Sequence, residues 1–268
     1  MFRGAAMSGV DWNGILRLPE AALAGGRRIP KTVLAKQAML TKTEQKRLDK
    51  VARLEHFGTV QKSTTRIPPY EDDERNVQSI VFLRCEMTAG TMAVAEVAEL
   101  VHKCFPNPTV LLVEASSSAC VSVALTRKSQ AEQGATVVDS IEATGAFDPG
   151  RPGYAPFLDA LDFAKLPQDD LLAYLQGIAW AVRLSRSITS LGFYPICADR
   201  NREQLGKLIA RSDALAKEIS GNRQRRRDRG LSLNESAKLR VDAKRLEAEF
   251  DSVMDLIKSI CTLGDTVE

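Results

Sequence analysis

This chain is poor in the residues on which most catalytic chemistry depends. It has two histidines in 268 residues, His56 and His102, and neither has another His or Cys three or four positions away. That spacing argues against a helical metal site, and a lone His is most often a surface or satisfied core residue. The five cysteines, Cys85, Cys104, Cys120, Cys197 and Cys261, are odd in number and form no CxxC pair. Neither a zinc knuckle nor a thioredoxin-like site is indicated, and a reduced cytosolic setting fits best. Aromatic residues make up 6% of the chain. No apolar run reaches the roughly 18 residues of a membrane span, and Met1 to Val10 lacks the apolar region of a signal peptide. GxxxxGK, GxGxxG after a strand, and GxSxG are all missing, so the usual phosphate loops and nucleophile elbow are not expected. Ser116, Ser117 and Ser118 stand beside Glu114, but no His follows them in the chain, as an α/β-hydrolase triad requires.

What the chain has is an apolar fraction of 44%, enough for a core, and an uneven charge distribution under a net charge of only +3. Arg27 to Arg66 carries +8, Ile67 to Glu142 carries −6, and Arg223 to Arg229 carries +4. Basic clusters of this kind suit phosphate backbones or acidic protein surfaces, although each also serves as an ordinary solvated face.

Periodicity gives the elements. Lys31 to Leu40 reads as a helix opened by Pro30. A second helix, capped by Thr41 or Thr43 with Glu44 in its first turn, carries Leu48, Val51, Ala52 and Leu54 and ends near His56–Gly58. Gly25 and Gly26 break any helix begun at Pro19. Val77 to Cys85 is a near-continuous apolar strand of the two-sided kind. Met92, Ala95, Val97, Ala98 and Val101 mark a helix ending near Cys104. Thr109–Ala115 and Ala119–Thr126 form a hairpin through Ser116–Ser118, and Ala135–Ala143 is a fourth strand. The predicted fold is therefore α/β: an α+β sandwich with a mixed sheet of about four strands. Leu171 to about Ser190 is a further helix.

Near the end, Leu205, Leu208, Ser212, Leu215 and Ile219 recur at three and four residues. So do Leu239, Ala243, Leu246, Phe250, Val253, Ile257 and Ile260. Ser232 and Glu235 form a capping box between the two runs. Heptad spacing on both sides of a short break predicts an antiparallel coiled-coil hairpin with arms of roughly 30–45 Å. The expected segments are a basic helical part (1–66), a sheet-containing core (67–147), helices completing it (148–197), and the hairpin (198–263).

Two candidate sites follow. The first is the hairpin tip: Arg223, Arg225, Arg226, Arg227 and Arg229 lack interleaved aromatics, so phosphate or acidic-surface contact is expected rather than base stacking. The second is a degenerate restriction-type nuclease centre. Glu86 and Glu114 fall on adjacent predicted strands, as magnesium-binding carboxylates do, but the acid-x-Lys partner is missing. No cofactor and no resident metal is expected.

The order Ile29-Pro30-Lys31, QSIVFLRCEM, PNPTVLLVEAS, CVSVALTR, FLDALDFAKLPQDDLLAYLQGI and a charged C-terminal hairpin resembles a bacterial family called domain of unknown function number four-three-nine-one. The resemblance runs from about Gly26 to Cys261. It implies a non-catalytic, cytoplasmic accessory subunit of a restriction-like or phage-defence system, working beside a Swi/Snf-type helicase or a DNA methyltransferase. The DNA backbone is a further partner, and self-assembly through the hairpin is another use of the seam. The family brings no catalytic residues to carry over.

Overall fold

The structure is a computed structural model that describes residues 9–262 except 38–39, 89, 91–93, 133, 228–229 and 231. The chain forms two compact units, residues 1–186 and 187–268.

In the first unit the elements run α1 (Trp12–Leu16), β1 (Leu23–Arg28), α2 (Lys31–Gln37), α3 (Lys42–Leu48), β2 (Val51–Gln61) and α4 (Lys62–Thr65). A short hairpin follows, β3 (Tyr70–Glu71) and β4 (Asn76–Val77). Then come β5 (Ser79–Met87), α5 (Val94–Cys104), β6 (Thr109–Ala115), β7 (Ser118–Lys128), β8 (Thr136–Ala143), α6 (Ala155–Asp159) and α7 (Leu171–Ser185). The main sheet has six strands in the order β1-β2-β5-β6-β7-β8. Only β5 and β6 are parallel, linked by the α5 crossover; the other neighbours are antiparallel.

The sheet is thus larger than the four strands expected, because β1 and β2 lie where a helix break and a helix were read. The cause is local. Register slips occur in β2 between Val51 and Arg53 and between His56 and Gly58. Each bulge inserts an extra residue and destroys the two-residue alternation. Buried Val51 and Leu54 are left three apart and continue the spacing from Leu48 at the end of α3, which imitates one longer helix. In β1, Gly25 and Gly26 adopt φ of 65° and 72° and carry a register slip against β2. They shape a bulged edge strand instead of ending a helix.

Both sheet faces are covered, which explains the apolar runs of β5 and β6. One face packs Leu83, Cys85, Leu111, Val113 and Cys120 under Leu34, Leu48, Val97 and Val101 of the helices α2, α3 and α5. The alternate residues Phe82, Val110, Leu112, Val121 and Val123 are equally buried. They face the side of α7, which packs on β5, β7 and β8. Arg183 of α7 and Arg186, which caps its C-terminus, both grip the buried carboxylate of Glu142 on β8, with Arg183 Nε 3.0 Å from Oε1. Asp170 caps α7, accepting from the Ala173 amide at 2.8 Å. Thr41 and Glu44 form the capping box of α3.

The second unit contains α8 (Ile188–Leu191), α9 (Arg202–Arg225) and α10 (Leu233–Thr262). The helix read over 171–190 is therefore two, α7 and α8. Helices α9 and α10 pack on each other. Leu205, Ile209, Ser212 and Leu215 of α9 are buried, as are Ala243, Leu246, Val253, Ile257 and Ile260 of α10. On α9 the buried position is Ile209, next to the half-buried Leu208. Ser232 and Glu235 cap α10, the Ser232 amide donating to Glu235 Oε2 at 2.9 Å.

Candidate functional site

The carboxyl ends of the parallel strands β5 and β6 place Glu86 and Glu114 directly side by side. In α/β sheets, ligands gather at this end of parallel strands. A cavity of about 460 Å³ lies there, lined by Gly9, Arg84, Glu86, Glu114, Ser116 to Ser118 and Asp148. Ser116 turns the chain from β6 into β7 with φ of 45°.

The two glutamates differ in what holds them. Arg84, two residues before Glu86 and so on the same face of β5, forks onto Glu114: Nε lies 2.7 Å from Oε1 and Nη2 lies 3.0 Å from Oε2. The indole N–H of Trp12 also donates to Oε1 at 2.7 Å. Trp12 is fully buried on α1, whose first turn is capped by Asp11. Both oxygens of Glu114 therefore have strong donors, and Glu114 in turn raises the Arg84 pKa above its ordinary value through that hydrogen bond. Glu86 stays half open to solvent, with one oxygen 3.6 Å from Arg84 Nη2.

The structure thus brings the two sequence-predicted carboxylates together and adds a cation that sequence reasoning missed. The signal was available for Arg84: a charged residue inside an apolar strand, two positions from Glu86. Nothing local signals Trp12. Where a restriction-type centre would orient a Lys toward a metal-bound water, this site has an arginine bonded to one of the carboxylates. Among the described residues, no group of three or more His, Cys, Asp or Glu side chains is arranged to hold a metal ion.

The arginine tip is built differently. Two arginines of α9 are matched by α10: Arg211 Nε lies 3.0 Å from Glu249, and Arg223 Nη2 lies 3.2 Å from Glu247, whereas the exposed Arg240 and Arg245 of α10 form no ion pair with a described residue. At the end of α9, Arg225, Arg226 and Arg227 are exposed and form no ion pair with a described residue. Arg229 lies outside the described residues. Of the five tip arginines, Arg223 is thus bound to α10.

The two histidines occupy ordinary positions. His102 on α5 is completely buried and bonds Ser122 at 2.9 Å; burial depresses its pKa to about 4. His56 lies on β2, with Nε2 2.8 Å from Thr59 Oγ1.

A family described as Domain of unknown function (DUF4391) matches residues 16–250. The chain belongs to this family. The matched span includes the six strands, both glutamates and the tip, and begins after Trp12. No curated protein and no solved structure matches the chain. No helix among the described residues is long and apolar enough to cross a membrane.

Proposed function

We propose that this protein is a non-catalytic interaction subunit of a restriction-like or phage-defence DNA-processing system, and that it docks through the tip of its C-terminal helices. The observation that carries this reading is the run of three consecutive exposed arginines at the end of α9. Arg211 and Arg223 are paired with glutamates of α10, whereas Arg225, Arg226 and Arg227 project into solvent without such partners. Three adjacent guanidinium groups of this kind suit a phosphate backbone or an acidic protein surface. The buried positions of α9 and α10 recur at three and four residues, which supports a coiled-coil hairpin as the arm that presents them. A helicase or DNA methyltransferase is the partner that the family resemblance implies.

The test uses the full chain and the variant R225E/R226E/R227E. Binding to a short DNA duplex is followed by fluorescence anisotropy over a salt series, and binding to a purified Swi/Snf-type helicase and a purified DNA methyltransferase by calorimetry. The reading requires that at least one of these bind and that the variant weaken it at least tenfold. If neither binds, or if the variant binds as the parent does, the tip is only a solvated turn.

One observation favours a second reading, the degenerate metal-dependent nuclease: Glu86 and Glu114 are neighbours beside a cavity. Against it stands the engagement of Glu114 by Arg84 and Trp12. Magnesium-dependent cleavage that is lost in E86A would revive it, and a parent chain without cleavage ends it.

A further inference from the structure

A second cavity, of about 400 Å³, opens on the α5 face of the sheet near the amino ends of β5 and β6. Its floor and wall are apolar: Val81, Leu83 and Phe105, of which Val81 and Phe105 are only partly buried. Its polar groups converge from different elements. Arg27 sits directly across from His56 in the β1–β2 pairing, so both side chains share the cavity's face. Asn107, in the loop between α5 and β6, adds a carboxamide with a donor and an acceptor. Arg27 is exposed and forms no ion pair with a described residue. Glu55, the nearest acid in the sequence of β2, points to the opposite face and is bound by Arg53.

This composition suits a small-molecule pocket: it is of suitable size, with an apolar floor and polar groups, among them Arg27, Arg28, His56 and Asn107, around it. We propose that it binds a small amphipathic anion of nucleoside-monophosphate size, with a flat ring against Phe105, Val81 and Leu83 and its anionic group on Arg27. Size and polarity both argue for that class. A bare inorganic anion would leave the apolar floor wet, and an uncharged hydrocarbon would leave Arg27 without a partner. The shared chemistry is one ring and one anionic group, carried either by a phosphate ester or by an aryl carboxylate. The pocket lies wholly in the first unit and does not depend on the arginine tip of the second.

The experiment is calorimetric titration of the full chain with AMP, UMP, 1-naphthoate, adenosine and inorganic phosphate. It is repeated on R27E, which reverses the charge, and on V81F, which fills the floor. Circular dichroism and the urea midpoint check that each variant is folded, and R27E, on an exposed edge strand, keeps the test decisive if V81F is not. The expected result is saturable binding of at least one ring-bearing anion, weakened at least tenfold by R27E and by a folded V81F. AMP or UMP against naphthoate then distinguishes phosphate from carboxylate. Inorganic phosphate without a ring is expected not to saturate. If no ring-bearing anion saturates in the millimolar range, or if R27E binds as tightly as the parent, the proposal is overturned.

Discussion

Arg84 and Glu114 meet across the two parallel strands through a forked pair of hydrogen bonds, 2.7 Å and 3.0 Å long. The carboxylate is mostly buried, at 12% side-chain exposure, and receives the Trp12 indole as a third donor. This arrangement makes Glu114 an anchor for α1 and for the end of β5, and it leaves Glu86 as the more accessible acid.

Glu114→Ala should therefore destabilise the first unit by about 2–4 kcal/mol, because it leaves a guanidinium and an indole N–H unpaired in a partly dry site. Glu114→Gln should cost less, since one acceptor remains. Glu86→Ala should stay within about 0.5 kcal/mol. Urea unfolding followed by tryptophan fluorescence reads all three. Equal losses at Glu86 and Glu114 would show that the asymmetry has no energetic content.

His102 makes stability depend on pH. Its folded-state pKa is held near 4 by burial, against 6.5 when exposed. As pH falls through about 6.5 the unfolded chain takes up a proton that the folded chain refuses until about pH 4. Stability from this group is thus complete above about pH 6.5 and declines by about 3 kcal/mol on approaching pH 4. His102→Met should flatten that part of the curve of unfolding free energy against pH. A curve with the same slope in the variant would assign the dependence elsewhere.

The exposed tip arginines should matter for binding and not for folding. R225E/R226E/R227E is expected to change the unfolding free energy by less than about 0.5 kcal/mol. If the tip rests on DNA phosphates, the slope of log affinity against log salt should fall in magnitude by about 2–3, near 0.9 per lost contact. If the acidic surface is a protein, the duplex slope should be the same in parent and variant while partner binding is lost.

Two buried residues of α9, the apolar Leu215 and the polar Asn222, carry opposite expectations. Leu215 is completely buried, and Leu215→Ala should loosen the pair by about 2–4 kcal/mol. Asn222 is buried, and its side-chain carbonyl has no hydrogen-bond partner among the described residues. Asn222→Leu should tighten the pair by about 1 kcal/mol, since it removes an acceptor that burial has stripped of water. Hydrogen exchange on peptides from α9 and α10 measures both, and faster exchange in Asn222→Leu would mean that the amide has a stabilising role.

The sequence by itself determined what short-range periodicity can encode. The apolar runs of β5 and β6, the hairpin through Ser116, the fourth strand read at 135–143, the Thr41 and Ser232 caps and the three-and-four spacing of the last two helices all follow from residues within a turn or two of one another. It also put Glu86 and Glu114 on adjacent strands. Tertiary structure decided the rest. The strands β1 and β2 were hidden because bulges erase the alternation that identifies a strand; what makes them strands is the pairing of β2 with β5 and of β1 with β2. The Trp12 bond to Glu114 joins residues 102 positions apart, and no local pattern carries such a contact. The meeting of Arg27 and His56 over the second cavity depends on the β1–β2 register, which a single slip would have sent to the other face. Local chemistry fixed which carboxylates were available; the distant partners brought in by the fold decided which of them is free to act.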